Sequence, residues 1–263
     1  MSLTRLTQPS HNEAHRFTMR GAALVNAIGR TMGAISTEET RYYLNGIYMH
    51  TIAGELRFVA TDGHRMYIQE MSAPDGATDA MAGVIIPRKT VALIHKLTKG
   101  KATPDSFTMA VTDSRVQFAW ESVDGIAYML TSKVIDGTFP DYQRVMPKYN
   151  ANAMIVGAAE FDGAIKDVSL VASEKGRAVK LTLSPNGGQV SCTNPDQGTA
   201  SAVIDSQYTG DPIEIGFNAR YLTEIIAAAG SDTIKVEMQD CGAPALITGD
   251  IEGWKAVLMP MRV

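Results

Sequence analysis

Residues 21–29 read GAALVNAIG, and residues 157–166 read GAAEFDGAIK. Around the first stretch, Leu24, Ala27, Ile28, Thr31 and Ile35 recur at the three-and-four spacing of one helical face, which predicts a helix over residues 20–34. Around the second, Phe161, Ile165, Val168 and Ala172 do the same. The segments downstream of each helix repeat as well. Strand-like runs at 41–49, 56–61, 66–71 and 82–86 lead to a second helix opened by Pro87, because proline is favoured at a helix start. That helix places Val91, Ile94 and Leu97 on one side, and strands at 106–112, 116–121 and 126–134 come after it. The second copy runs through strands at 179–184, 189–194, 200–206 and 213–217. Asn218 then caps a helix to Ala229, Gly230 stops it, and strands at 233–238, 245–249 and 255–259 close the chain. VIIPRKTVALI (84–94) corresponds in place to EIGFNARYLTEII (214–226). The offset is roughly 130 residues, one ordinary domain length. The pattern predicts an α+β fold of two tandem domains, each with two helices packed on antiparallel sheets. MPKYNAN (146–152) breaks it with proline and asparagine. The expected parts are an N-terminal arm at 1–16 and domains at 17–148 and 149–263.

Composition narrows the function classes. A chain of 263 residues, 45% apolar and 20% charged, can bury ample core without disulfides or metal. Its two cysteines, Cys192 and Cys241, give no disulfide framework and no zinc spacing. A reducing, cytoplasmic setting without cofactors is therefore expected. MSLTRLTQPSHNEAH at the start is polar and has no apolar core, so it reads as neither a signal peptide nor a membrane span. The net charge is −4. Proteins that grip DNA tightly through its phosphates carry a strong basic excess. Any DNA role must rest on where the charges sit, or on holding DNA without tight contact. Lys89, Ala92, Lys96 and Lys99 share one helical stripe, with Arg88 beside it. Arg30 lies away from the apolar face of the first helix, and Lys166 and Arg220 sit beside acids on two others. A solvated charged face would give the same pattern.

An enzyme is the first rival reading. TDGHR (61–65) gathers Asp62, His64 and Arg65, and Ser132 or Ser173 could serve as a nucleophile. The chain has no GxSxG, Walker A loop, HExxH or GxGxxG. A non-catalytic protein is expected.

RYYLNG (41–46), VATDGHRM (59–66), VIIPRK (84–89), TSKVIDGTFPDYQRVMP (131–147), EIGFNARY (214–221) and VLMPMRV (257–263) resemble the bacterial DNA sliding clamp, the beta subunit of DNA polymerase III. The likeness covers the chain from about residue 17 to its end, in the family's order and spacing. It corresponds to the second and third of the family's three domains, and no stretch resembles the first. The resemblance implies the DNA-clamp (processivity) fold, with helices lining a hole and sheets forming the outer wall. It also implies a ring that encircles duplex DNA and tethers a polymerase, which suits the modest charge. Residues facing DNA would be Arg30, Tyr42, Tyr43, Arg88, Lys89, Lys96, Lys99, Lys166 and Arg220.

The resemblance further implies a hydrophobic pocket where polymerases, clamp-loader subunits and repair proteins insert short linear motifs. Its first-domain members would be Leu44, Thr61, Gly63, His64, Arg65, Met66, Pro140, Arg144 and Val145. The second domain would add Asn218, Tyr221, Pro244, Val257, Leu258, Met259, Pro260, Met261 and Arg262. Methionines re-pack around varied side chains, as a promiscuous surface requires. Arg144, His64 and Asn218 would hold the peptide backbone. Two positions depart from the family: Gly176 precedes Arg177 where some clamps carry a bulky aromatic, and Glu38 and Glu39 occupy a loop where several place neutral or basic residues. Two three-domain subunits supply the six domains of the usual ring. Three copies of a two-domain chain would also supply six, as in the trimeric eukaryotic clamp, so a homotrimer is expected. The alternative is a clamp-like adaptor or decoy that binds the same peptides without encircling DNA.

Overall fold

The structure is a computed structural model that describes residues 14–148, 150–172 and 178–263. Ser173, Gly176, Arg177 and residues 1–13 of the arm lie outside the described residues. The chain forms two compact units. The first holds residues up to Asp62 together with Ile68–Pro140; the second holds Gly63–Tyr67 and Asp141–Val263.

The first unit begins with β1 (His15–Arg20), which leads directly into α1 (Gly21–Thr31). Leu24, Ala27, Ile28, Thr31 and Ile35 are all buried, as their spacing predicts. The buried Thr31 hydroxyl is satisfied by the Ala27 carbonyl at 2.6 Å. A one-turn 3-10 helix at Tyr42–Leu44 precedes β2 (Gly46–Ile52), β3 (Glu55–Thr61), β4 (Arg65–Ser72) and β5 (Val84–Pro87). Then come α2 (Arg88–Thr98), β6 (Ser106–Val111), β7 (Arg115–Glu121) and β8 (Ala127–Lys133). One sheet runs β1-β6-β7-β8, and β4, β3, β2 and β5 lie in that order in another. α1 and α2 pack against each other.

The second unit repeats this order. β9 (Asn152–Gly157) leads into α3 (Ala158–Val168), then β10 (Ala178–Ser184), β11 (Gly187–Asn194) and β12 (Gly198–Ile204). A short β13 (Ser206–Thr209) precedes β14 (Ile213–Asn218), α4 (Ala219–Ala229), β15 (Thr233–Met238), β16 (Ala245–Thr248) and β17 (Trp254–Leu258). β12-β11-β10-β14 form one sheet, β13-β9-β15-β16-β17 lie in order in another, and α3 packs on α4. α1, α2, α3 and α4 are each 11 residues long.

The duplication extends to single hydrogen bonds. Gly21 N donates to Asp105 O at 2.8 Å, and Ala158 N donates to Asp232 O at 2.8 Å. Each bond ties the first residue of a helix to the residue before β6 or β15. The structural partner of Gly21 is therefore Ala158, one residue later than the matched GAA letters indicate.

Several sequence expectations are corrected. His15 and Arg16 are not part of an arm: they pair with Val111 and Ala110 of β6. β9 and β13 were not anticipated. Residues 41–45 are not a strand. The chain turns there, with Leu44 N donating to Arg41 O and Asn45 N to Tyr42 O. Leu97 is not on the buried side of α2; it is 42% exposed, and Thr98 joins Val91 and Ile94 inside.

The β2–β3 hairpin closes through Ala53 and Gly54, with Ile52 opposite Glu55. Both loop residues have positive φ, 52° and 77°, as in a type I′ turn, where asparagine-glycine is the favoured pair. A left-handed alanine is strained by contact between Cβ and the following carbonyl oxygen. Ala53→Asn is expected to raise stability by about 0.5–1 kcal/mol, read as a higher urea midpoint at unchanged slope. An unchanged midpoint would contradict the strain.

Candidate partner-binding site

Much of the predicted peptide-docking set falls on four segments of the second unit. The first is Gly63–Tyr67. Gly63 has φ 90°, a conformation that glycine adopts without Cβ strain. The chain turns there so that His64 is exposed while Arg65 and Met66 point inward. The second is the 3-10 turn Tyr142–Val145, anchored by buried Tyr142. It leaves Arg144 exposed and Val145 49% exposed. Arg144 Nε donates to Asp141 Oδ2 at 2.9 Å.

The third is the start of α4. Asn218 Oδ1 accepts from Tyr221 N at 3.2 Å, so the predicted cap satisfies one free amide of the first turn. Gly230 ends the helix at φ 57°. The cap places Tyr221 on that first turn. Its ring lies 6.2 Å from the His64 ring at an interplanar angle of 23°.

The fourth is the terminal segment. β17 ends at Leu258, and the chain is then held at two points. Met259 N donates to His64 O at 2.9 Å, and Met261 N donates to Gly216 O at 2.8 Å. Pro260, with no N–H to give, lies between them. Met259 is left 40% exposed, and Arg262 is exposed. Pro244, Pro260 and Met261 are half-buried.

Four other members of the predicted set do not present a surface. Val257, Leu258 and Met66 are core residues, and so is Leu44 in the first unit. Each is buried within its own unit and offers no accessible wall. Thr61 is half-buried at the end of β3, and Pro140 is exposed.

Arg65 is the main correction. Only 7% exposed, it does not face solvent to receive a ligand. Its Nη1 lies 2.5 Å from Glu224 Oε2 and donates to Tyr67 Oη at 3.0 Å. Its guanidinium carbon sits 4.5 Å from the Tyr221 ring centroid. Glu224 was not singled out in the sequence. Its position four residues after Arg220 carried half the signal, since such pairs meet on a helix face; Arg220 Nε donates to Glu224 Oε1 at 2.6 Å. Burial pushes the Glu224 carboxyl up, but hydrogen bonds from Arg220 and Arg65 outweigh this and hold it below the usual range.

The predicted DNA-facing residues differ in their surroundings. Arg88, Lys89, Lys96 and Lys99 are exposed on or just beyond α2, and none has a carboxylate within 4.0 Å among the described residues. Lys166 and Arg220 are instead paired with Asp162 and Glu224. Arg30 is half-buried, reaches Gln69 Oε1 at 3.4 Å, and has its pKa lowered by burial. Tyr42 is 52% exposed and meets Tyr43 edge-on. Glu38 is held by Arg41 at 2.6 Å, which offsets its charge in that loop. Of the candidate nucleophiles, Ser132 is hydrogen-bonded to Thr90 at 2.7 Å. No helix among the described residues is long and apolar enough to cross a membrane.

Residues 18–141 match the family model "DNA polymerase III beta subunit, central domain", and residues 143–262 match "DNA polymerase III beta subunit, C-terminal domain". The beta sliding clamp of Caulobacter vibrioides is 42% identical over 245 residues, covering 91% of this chain and 64% of the relative. That of Vibrio cholerae is 33% identical over 243 residues, covering 92% and 64%. The chain thus spans 64% of the length of each of these relatives. Among solved structures, the DnaN sliding clamp from Bartonella birtlesii bound to griselimycin has a TM-score of 0.87 at 40% identity, covering 98% of this chain and 68% of that one. The DNA polymerase sliding clamp from Caulobacter crescentus has a TM-score of 0.84 at 37% identity, covering 100% and 70%. With both units matched over nearly their whole length, the chain belongs to the DNA polymerase III beta-subunit family.

Proposed function

We propose that this protein is a DNA sliding clamp that encircles duplex DNA and tethers polymerases, clamp-loader subunits and other partners through short peptide motifs. The observation that carries the reading is the terminal segment. Its backbone is fixed at His64 and Gly216 while Met259 stays 40% exposed near the His64–Tyr221 pair. A rigid backbone offering an adaptable methionine and an aromatic ring suits recognition of varied apolar side chains. Binding of a peptide taken from the clamp-binding segment of a replicative polymerase tests it. Met259→Asp and Tyr221→Ala are each expected to weaken that binding; wild-type affinity in both would place the site elsewhere.

The DNA-facing role is assigned chiefly to α2, whose exposed basic residues have no carboxylate within 4.0 Å among the described residues. Each phosphate neutralised by a lysine releases counterions and steepens the salt dependence of binding. Replacing Lys89, Lys96 and Lys99 together by alanine is expected to flatten the log K against log salt slope by up to about 3. An unchanged slope would remove α2 from the DNA path.

For assembly, the favoured reading is a homotrimer ring of six units. The edge strands β8 and β12 support self-association. Each has seven residues; β12 carries no charge and β8 only Lys133. Exposed Tyr128, Met129 and Val203 lie along them. Edges with little charge and no proline are templates for pairing with another chain, and a head-to-tail contact closes when its rotation permits. Light scattering should give three times the 28.3 kDa chain mass. A monomer at high concentration would favour the adaptor that never closes.

A further inference from the structure

We propose that Arg65, Glu224 and Arg220 form one ion-pair unit whose purpose is to hold Tyr221 in place for partner peptides, with Glu224 as its positioning residue. This rests on the reading of the surrounding face as a peptide-docking site.

The arrangement divides one carboxylate between two cations. Glu224 Oε2 faces Arg65 Nη1 at 2.5 Å, and Oε1 accepts from Arg220 Nε at 2.6 Å. Arg65 enters from the strand side, at the start of β4, within the Gly63–Tyr67 segment of the second unit. Arg220 and Glu224 lie one turn apart on α4, with Tyr221 between them in sequence. The carboxylate therefore fastens the first turn of α4 to the Gly63–Tyr67 segment of the same unit. The fastening acts on Tyr221 directly, because the Arg65 guanidinium that it fixes sits 4.5 Å from the ring centroid. A cation over an aromatic face is attracted by the ring quadrupole, more strongly when withdrawn from water. The Tyr67 hydroxyl accepts from the same guanidinium at 3.0 Å and completes the cradle.

Burial explains why Glu224 governs the unit. Arg65 is 7% exposed, and a guanidinium so withdrawn is costly to separate from a carboxylate partner. Arg220 is exposed, so its bond to Glu224 is solvent-screened and chiefly directs the carboxylate. Strength should fall in the order Arg65–Glu224, then Glu224–Arg220. Loss of the carboxylate would leave α4 folded on its apolar face, since Leu222, Ile225, Ile226 and Ala229 are buried independently of it. The Tyr221 ring is the part it would release.

The test is peptide affinity, with folding monitored separately. Glu224→Gln keeps the shape but removes the charge. It is expected to weaken binding of a polymerase-derived clamp-binding peptide about ten-fold while the far-UV spectrum and cooperative melt are retained. Tyr221→Ala should weaken binding by more, and Glu224→Gln on top of Tyr221→Ala should cost nothing further, because the carboxylate acts through the ring. Glu224→Asp, which keeps the charge on a shorter arm, should recover part of the loss. Should Glu224→Gln unfold, Arg220→Gln carries the test, with a smaller loss that again vanishes in the Tyr221→Ala background. Wild-type affinity in Glu224→Gln, or losses that simply add, would overturn the positioning role while leaving the docking site standing. A wild-type protein that binds no peptide would overturn the docking reading and this proposal with it.

Discussion

Gly216→Ala is expected to bind partner peptide at least ten-fold more weakly while the second unit stays folded. Gly216 lies in β14, whose ladder with β10 pairs it with Lys180. Its other side forms an isolated bridge to Met261. A Cβ built there would stand 2.4 Å from the Met261 carbonyl oxygen. Real Cβ atoms do not approach backbone oxygen so closely, so one partner must move. The β10–β14 ladder spans six residue pairs, and the terminal segment is held to β14 by a single bridge. The segment should yield. It would lose the Met261 N to Gly216 O bond and carry Met259 and Pro260 away from His64. A ten-fold loss corresponds to about 1.4 kcal/mol, modest for displacing an ordered strand end. Fluorescence anisotropy with a labelled peptide measures it. Undiminished affinity with a normal melt would show that the terminal segment is not part of the docking surface.

Gly21→Ala is the more damaging change. Its Cβ would fall 1.7 Å from the Pro104 carbonyl oxygen and 2.7 Å from the carbonyl carbon. Both obstacles are backbone, and the residue is locked there by its hydrogen bond to Asp105. Relief requires α1 to separate from the strand start of β6, breaking that bond and disturbing β1, which pairs with β6 along six residues. Overpacking of this kind costs roughly 1–3 kcal/mol, and the lost buried hydrogen bond adds about 1 kcal/mol. The expected destabilisation is therefore about 3 kcal/mol, confined to the first unit, and is measured by urea unfolding. Ala158→Gly makes the contrast: at the equivalent helix start a side chain is already accommodated, so glycine there should cost only about 1 kcal/mol or less. Equal small effects at both positions would mean that the close approach at Pro104 is not a constraint.

The repeat was readable in the sequence because each helix has a clean apolar face and each strand run is bounded by turn residues. β1 was also readable, in the alternation that buries Phe17 and Met19 and exposes the residues between them. The polar stretch before it leaves its first residues, His15 and Arg16, without a boundary signal. β9 alternates similarly, with Met154 and Val156 inside, but proline and asparagine just upstream obscure its start. β13 has four residues and no apolar alternation, so no local signal existed. Tyr42 and Tyr43 favour strands by propensity, yet turn hydrogen bonds decide the conformation there, as tertiary context often does.

The site was legible as residue types and less so as roles. Asn218 as a cap and Gly230 as a stop are dictated by local chemistry. Arg65 is not: its burial depends on Glu224, 159 positions away (224 − 65), and no single-chain pattern carries so distant a pairing. Arg220 differs: its partner Glu224 stands one helical turn away, a spacing that the sequence does display.

Retention on circular DNA tests the central claim most directly. Protein placed by its loader on nicked circular duplex should stay bound through gel filtration in moderate salt, then be lost when a single cut linearises the circle. Retention equal on circular and linear DNA, or on neither, would contradict encirclement.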